Sequence, residues 1–75
     1  MARIEVESEV TGRIWKVVTE SGTKVSEGDT LLILESMKME IPLESPYDGK
    51  VLEILLDEGD SVNEDQVVAI VETTT

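Results

Sequence analysis

Gly12-Arg13-Ile14-Trp15-Lys16-Val17-Val18 and Gly49-Lys50-Val51-Leu52-Glu53-Ile54-Leu55 stand 37 positions apart in a chain of 75 residues. Each stretch opens at a glycine and runs into β-branched and aliphatic residues, the pattern of a strand entered from a turn. The correspondence extends in both directions without an insertion. Ile4 matches Ile41, Glu7 matches Glu44, Ser8 matches Ser45, Gly22 matches Gly59 and Val25 matches Val62. Farther on, Glu27 matches Glu64, Ile33 matches Ile70 and Glu35 matches Glu72, with conservative pairs such as Arg13 and Lys50 or Leu34 and Val71 between them. Four of the 5 glycines fall in matched positions, which weighs against chance likeness between two β-rich segments. Two copies are too few for a solenoid. They predict one pseudo-twofold domain whose halves pack face to face.

Local patterns supply the elements. Thr30–Glu35 and Val67–Glu72 are short apolar runs between polar turns, the length of buried strands and too short for helices. Glu20-Ser21-Gly22 and Asp57-Glu58-Gly59 are turn signals. Lys24-Val25-Ser26 and Ser61-Val62-Asn63 read as short strands that each bury one valine, and Met39–Leu43 reads as a further strand. No segment keeps helical apolar spacing over a helix's length. Eight short strands, four from each half, predict an all-β fold, a flattened barrel or sandwich of two quasi-symmetric halves. Val25 with Val62, Ile33 with Ile70 and Val17 with Ile54 are the expected buried pairs. Pro42, inside a strand, predicts an edge position or a bulge. The domain is expected over residues 1–72, with 73–75 as a short tail.

Composition narrows the function. Lys and Arg number 6 against 17 Asp and Glu, a net charge of −11. A field of that sign repels nucleic-acid phosphates and anionic membranes and favours basic partner surfaces. Cysteine and histidine are both 0, which removes thiolate chemistry, the commonest general base and the commonest metal ligands. Acidic clusters at Glu27-Gly28-Asp29, Asp57-Glu58-Gly59-Asp60 and Glu64-Asp65 lack the calcium-loop pattern and read as solvated turns. No catalytic residue and no metal site is expected, so the chain is not an enzyme by itself. The first residues show neither a signal nor a transit pattern, and the longest apolar run, Leu31–Leu34, is far short of a membrane span. The expectation is a soluble, cytoplasmic protein, monomeric in isolation.

The halves part company at Ser36-Met37-Lys38-Met39, whose counterpart is the chain end. The flanking strands call for a two-residue hairpin loop, which prefers Asn-Gly or Asp-Gly because both central residues want φ > 0. Met37-Lys38 is a poor local choice, and a departure from turn chemistry in an otherwise consistent sequence points to function. The tip would hold the Lys38 amine on a rigid scaffold, flanked by the apolar Met37 and Met39 and bracketed by Glu35 and Glu40. Such an amine can be acylated. With no second catalytic group nearby, a partner would supply the machinery.

Glu35-Ser36-Met37-Lys38-Met39-Glu40 resembles the biotin-attachment motif of biotin carboxyl carrier domains, Ala/Ser-Met-Lys-Met. Glu27–Glu35 is similar to that family's lead-in, Pro46-Tyr47-Asp48-Gly49-Lys50-Val51 to its Pro-x-x-Gly-x-Val, and Gly59-Asp60-Ser61-Val62 to its Gly-Asp-x-Val. The resemblance covers nearly the whole chain and is closest to carboxylase carrier domains and small free-standing biotin/lipoyl attachment proteins. It implies a barrel-sandwich hybrid with the lysine on a hairpin. It further implies that biotin protein ligase joins biotin, through biotinyl-AMP, to Lys38, and that the domain carries carboxybiotin on a swinging arm from a biotin carboxylase to a carboxyltransferase. Met37 and Met39 would serve ligase recognition or the cofactor's working environment, Glu35 and Ser36 would shape the hairpin and the approach surface, and Glu40 belongs to the motif. A lipoyl carrier modified at Lys38 shares the fold, but such domains more often show Asp-Lys-Ala at the turn. An unmodified β docking module is the alternative from another class, and it needs no lysine at the tip.

Overall fold

Short apolar segments between glycine- and aspartate-containing turns form strands. The computed structural model, which describes residues 2–73, contains eight: β1 Arg3–Glu7, β2 Gly12–Val17, β3 Lys24–Val25, β4 Thr30–Ser36, β5 Met39–Glu44, β6 Gly49–Ile54, β7 Ser61–Val62 and β8 Val67–Thr73. They make two four-stranded antiparallel sheets, ordered β1-β8-β6-β3 and β5-β4-β2-β7. Adding 37 to the bounds of β2, β3 and β4 gives those of β6, β7 and β8, so the sequence repeat is a structural pseudo-twofold. Its two halves do not pack face to face as separate layers. Each sheet takes two strands from each half. The crossing is held by main-chain bonds in matched pairs: Ile14 N–H donates to Asp60 O and Val51 N–H to Thr23 O, both at 2.8 Å.

The core lies between the sheets and contains Ile14, Leu31, Leu32, Leu34 and their counterparts Val51, Val68, Ala69 and Val71. Leu31 and Leu32 are adjacent yet both fully buried, as are Val68 and Ala69. Strict alternation forbids this. The ladder between β4 and β5 slips at Thr30/Leu32, and that between β1 and β8 slips where Val6 pairs with Ala69 but Glu7 with Val67. Each slip leaves one extra residue, Leu31 or Val68, whose bulge turns a second side chain inward.

That bulge sets the parity of all that follows. Leu32 and Leu34 point inward, so Ile33 faces out and is only half-buried, as is Ile70. The expected burial of this pair is therefore corrected by strand parity. Val17 and Ile54 are likewise partly buried, packed against the core's margin rather than within it. Val25 and Val62 are buried as expected, and Pro42 lies in β5, an edge strand, where its missing N–H costs no ladder bond. Thr73, expected to open a tail, closes β8 and is buried, while residues 74–75 lie outside the described residues.

The turns repeat too. Gly28, at φ 91°, donates its N–H to Ser45 O, and the matched Asp65, at φ 68°, donates to Ser8 O. Aspartate is among the few residues that tolerate this left-handed region, so the turn survives loss of its glycine. No helix is long and apolar enough to cross a membrane among the described residues.

Candidate functional site: a lysine at the tip of the β4–β5 hairpin

Ser36 pairs with Met39, which closes a hairpin whose two loop residues are Met37 and Lys38. Their φ angles are 52° and 67°. Both central residues therefore take the left-handed conformation that matches the twist of the flanking strands. For side chains other than glycine this costs about 1–2 kcal/mol per residue. Among the described residues only Asp65 shares it without being glycine. The sequence expectation of a tight turn built from unsuited residues is thus met, with the strain placed on the candidate lysine and its neighbour.

The tip is open to solvent. Met37 is 93% exposed and Met39 65%, and Lys38 is exposed as well. Large apolar side chains so open to water mark a surface awaiting contact more often than a folding requirement. Glu35 and Glu40 sit directly opposite one another in the ladder, both exposed. Like charges in that arrangement oppose pairing, so the hairpin gains no help from these side chains.

Its support comes from below. Ser36 Oγ donates to the Thr11 carbonyl at 3.0 Å, and Thr11 Oγ1 accepts the Glu64 N–H at 3.0 Å, tying the hairpin base to two loops of the other elements. Gly12 lies flat against β4: a Cβ built there would collide with the Glu35 carbonyl oxygen and stand 3.3 Å from the Ser36 Cβ. Gly49 meets the Glu72 carbonyl in the same way at the matched position. An open depression of about 380 Å³ beside the hairpin is lined by Thr11, Gly12, Arg13, Ser36, Met37 and Lys38, among others.

The hairpin thus gathers all six candidate residues. Met37, Lys38 and Met39 form its crest, Glu35 and Glu40 its flanks, and Ser36 its anchor. Thr11 and Gly12 were not legible as supports of the site. Gly12 was visible only as one of a repeated pair, because its approach to Glu35 joins strands distant in sequence. Chemically the arrangement presents one primary amine, free of local packing, on a stiff projection.

Comparison with known proteins follows the same lines. A family model described as "Biotin-requiring enzyme", of biotin/lipoyl domains, matches residues 4–71. The "Biotinylated protein TB7.3 homolog" of Mycolicibacterium smegmatis is 49% identical over 39 residues, 52% of this chain and 55% of that protein. The "Biotin/lipoyl attachment protein" of Bacillus subtilis is 45% identical over 38 residues, 51% of this chain and 52% of its own length. These matches span about half the length of the relatives concerned. In fold, 96% of the chain superimposes on 6% of the urea carboxylase of Kluyveromyces lactis, with a TM-score of 0.91 and 38% identity. A truncated AcrA from Campylobacter jejuni shares the fold, at TM-score 0.82 and 20% identity. With the repeat, the two interleaved sheets and the family match all covering the same residues, the chain belongs to the biotin/lipoyl attachment family.

Proposed function

We propose that the chain is a biotin carboxyl carrier domain whose Lys38 receives biotin. The observation that carries this reading is the placement of Lys38, itself exposed, at a left-handed position of a two-residue turn with both neighbours exposed. Folding alone would favour Asn-Gly there. The named relatives, a biotinylated protein and a biotin/lipoyl attachment protein, support the same attachment chemistry.

The residues fit the group. A biotinyl chain needs a primary amine that an enzyme can enclose, and Lys38 stands clear of the strands on a projection supported by Gly12 and Ser36. In the attachment step the Lys38 nitrogen attacks the acyl carbon of an activated biotin. An amide forms, AMP leaves, and the ammonium proton passes to a base on biotin protein ligase. Met37 and Met39 would contact the ligase and the carboxylase sites. Glu35 and Glu40 repel the strand edges of other acidic surfaces and favour basic ones. Bound biotin supplies a ureido nitrogen that accepts and releases a carboxyl group. The domain's own contribution is positional: a rigid tip on a short tether gives the cofactor a high effective concentration at the two partner sites, a biotin carboxylase and a carboxyltransferase.

Intact mass after incubation with biotin, ATP and a biotin protein ligase tests the reading, beside Lys38→Arg. One biotinyl addition, lost in the variant, is expected. Failure with a ligase active on another carrier, followed by addition of lipoyl by a lipoyl ligase, would reassign the cofactor. Failure of both would leave a docking module.

A further inference from the structure

The chain contains 3 methionines and no cysteine or histidine, so thioethers are its readily oxidised sulfur. Two of them, Met37 and Met39, flank Lys38, and among the described residues they are also the most exposed large apolar side chains. We propose that Met37 and Met39 form a reversible oxidation site, and that a hydroperoxide acting there switches off recognition of the Lys38 tip. The proposal rests on the reading of that tip as an attachment site.

A thioether sulfur lone pair attacks the distal peroxide oxygen, the O–O bond breaks, and an S–O bond forms. Sulfur loses two electrons; the transferred oxygen gives up its proton to the other peroxide oxygen, which leaves as an alcohol, or as water when the oxidant is hydrogen peroxide. The product replaces a flexible apolar group by a polar, chiral sulfoxide. In a core that change unfolds proteins. At this tip it has little packing to disturb, because Met37 is 93% and Met39 65% exposed, and the hairpin is held from below by Ser36 Oγ on the Thr11 carbonyl and by Gly12 against β4. The fold is thereby insulated from the modification. Recognition is not: an enzyme that encloses Lys38 must desolvate both neighbours, and it would then bury two sulfoxide oxygens in sites shaped for thioethers. An unpaired polar oxygen so buried carries a penalty equivalent to a loss of roughly tenfold or more. Exposure also orders the two sites, with Met37 reacting ahead of the 65% exposed Met39.

The test uses the full chain treated with dilute hydrogen peroxide. Peptide mass mapping is expected to find one added oxygen on Met37 and then on Met39, with the far-ultraviolet circular dichroism and thermal midpoint unchanged. The rate of biotinyl addition by ligase is expected to fall roughly tenfold or more, and to return after treatment with methionine sulfoxide reductases of both stereospecificities and a thiol reductant. M37L/M39L is expected to react at the same rate, whatever that rate is, with and without peroxide. Equal rates for oxidised and untreated chain would overturn the switch while leaving the attachment reading intact. A loss that survives the reductases, or that M37L/M39L suffers as fully as the parent, would also overturn it. Should M37L/M39L itself resist the ligase, the reductase arm decides. An untreated chain that the ligase ignores overturns both readings, and that outcome is visible before any peroxide is added.

Discussion

Replacing Met37-Lys38 by Asn-Gly should make the protein more stable and end its modification. The structure sets the magnitude. Both residues hold positive φ, 52° and 67°, at about 1–2 kcal/mol each for ordinary side chains. Asparagine tolerates this region, and glycine adopts it freely but adds about 0.5–1 kcal/mol of chain entropy to be lost on folding. Met37 is 93% exposed, and Lys38 is exposed too, so almost no burial is forfeited. The net is a gain of about 1–2 kcal/mol, and each kcal/mol raises the thermal midpoint by about 4–8 °C in a domain of this size. Urea and thermal unfolding followed by circular dichroism would read it, with Lys38→Gly alone expected to give a smaller rise. An unchanged or lowered midpoint, with strand content preserved, would show that the tip is not strained. The inference that function rather than folding chose these two residues would then lose its basis.

The supports and the core give two more tests. Gly12→Ala and Gly49→Ala meet equivalent carbonyl oxygens across the pseudo-twofold, so each should cost about 1–3 kcal/mol; only Gly12→Ala should also slow modification of the folded fraction, and equal modification rates for the two would detach Gly12 from the site. Leu34→Ala, at a fully buried inward position, should cost about 2–5 kcal/mol, whereas Ile33→Ala, on the outward parity, should cost well under half of that; comparable denaturant midpoints for the two would contradict the assigned bulge at Leu31.

Ranking those two adjacent side chains lies beyond what Thr30-Leu31-Leu32-Ile33-Leu34 displays as a string. An unbroken apolar run carries no alternation, so either parity suits it, and the decision falls to a bulge whose existence depends on the ladder with β5. By contrast, Val25 and Val62 are single apolar residues among polar ones, and their burial follows from that isolation alone. Pro42 was legible to within two choices, because a residue without an N–H is confined to an edge or a bulge wherever the strand lies, and the edge position of β5 is the one taken.

The eight short strands, the pseudo-twofold and the exposed lysine are legible in the amino-acid string. These are properties of local periodicity, of glycine spacing and of a gapless repeat, and none needs knowledge of which segments meet. The tertiary structure alone decided that each sheet interleaves the two halves, that Leu31 and Val68 turn inward at bulges, and that Gly12 and Ser36 brace the hairpin against β2 and Thr11. The physical reason is that those features are pairings between distant segments. Hydrogen bonds across a ladder and the close approach of two backbones depend on register, and register is settled only when both partners are in place.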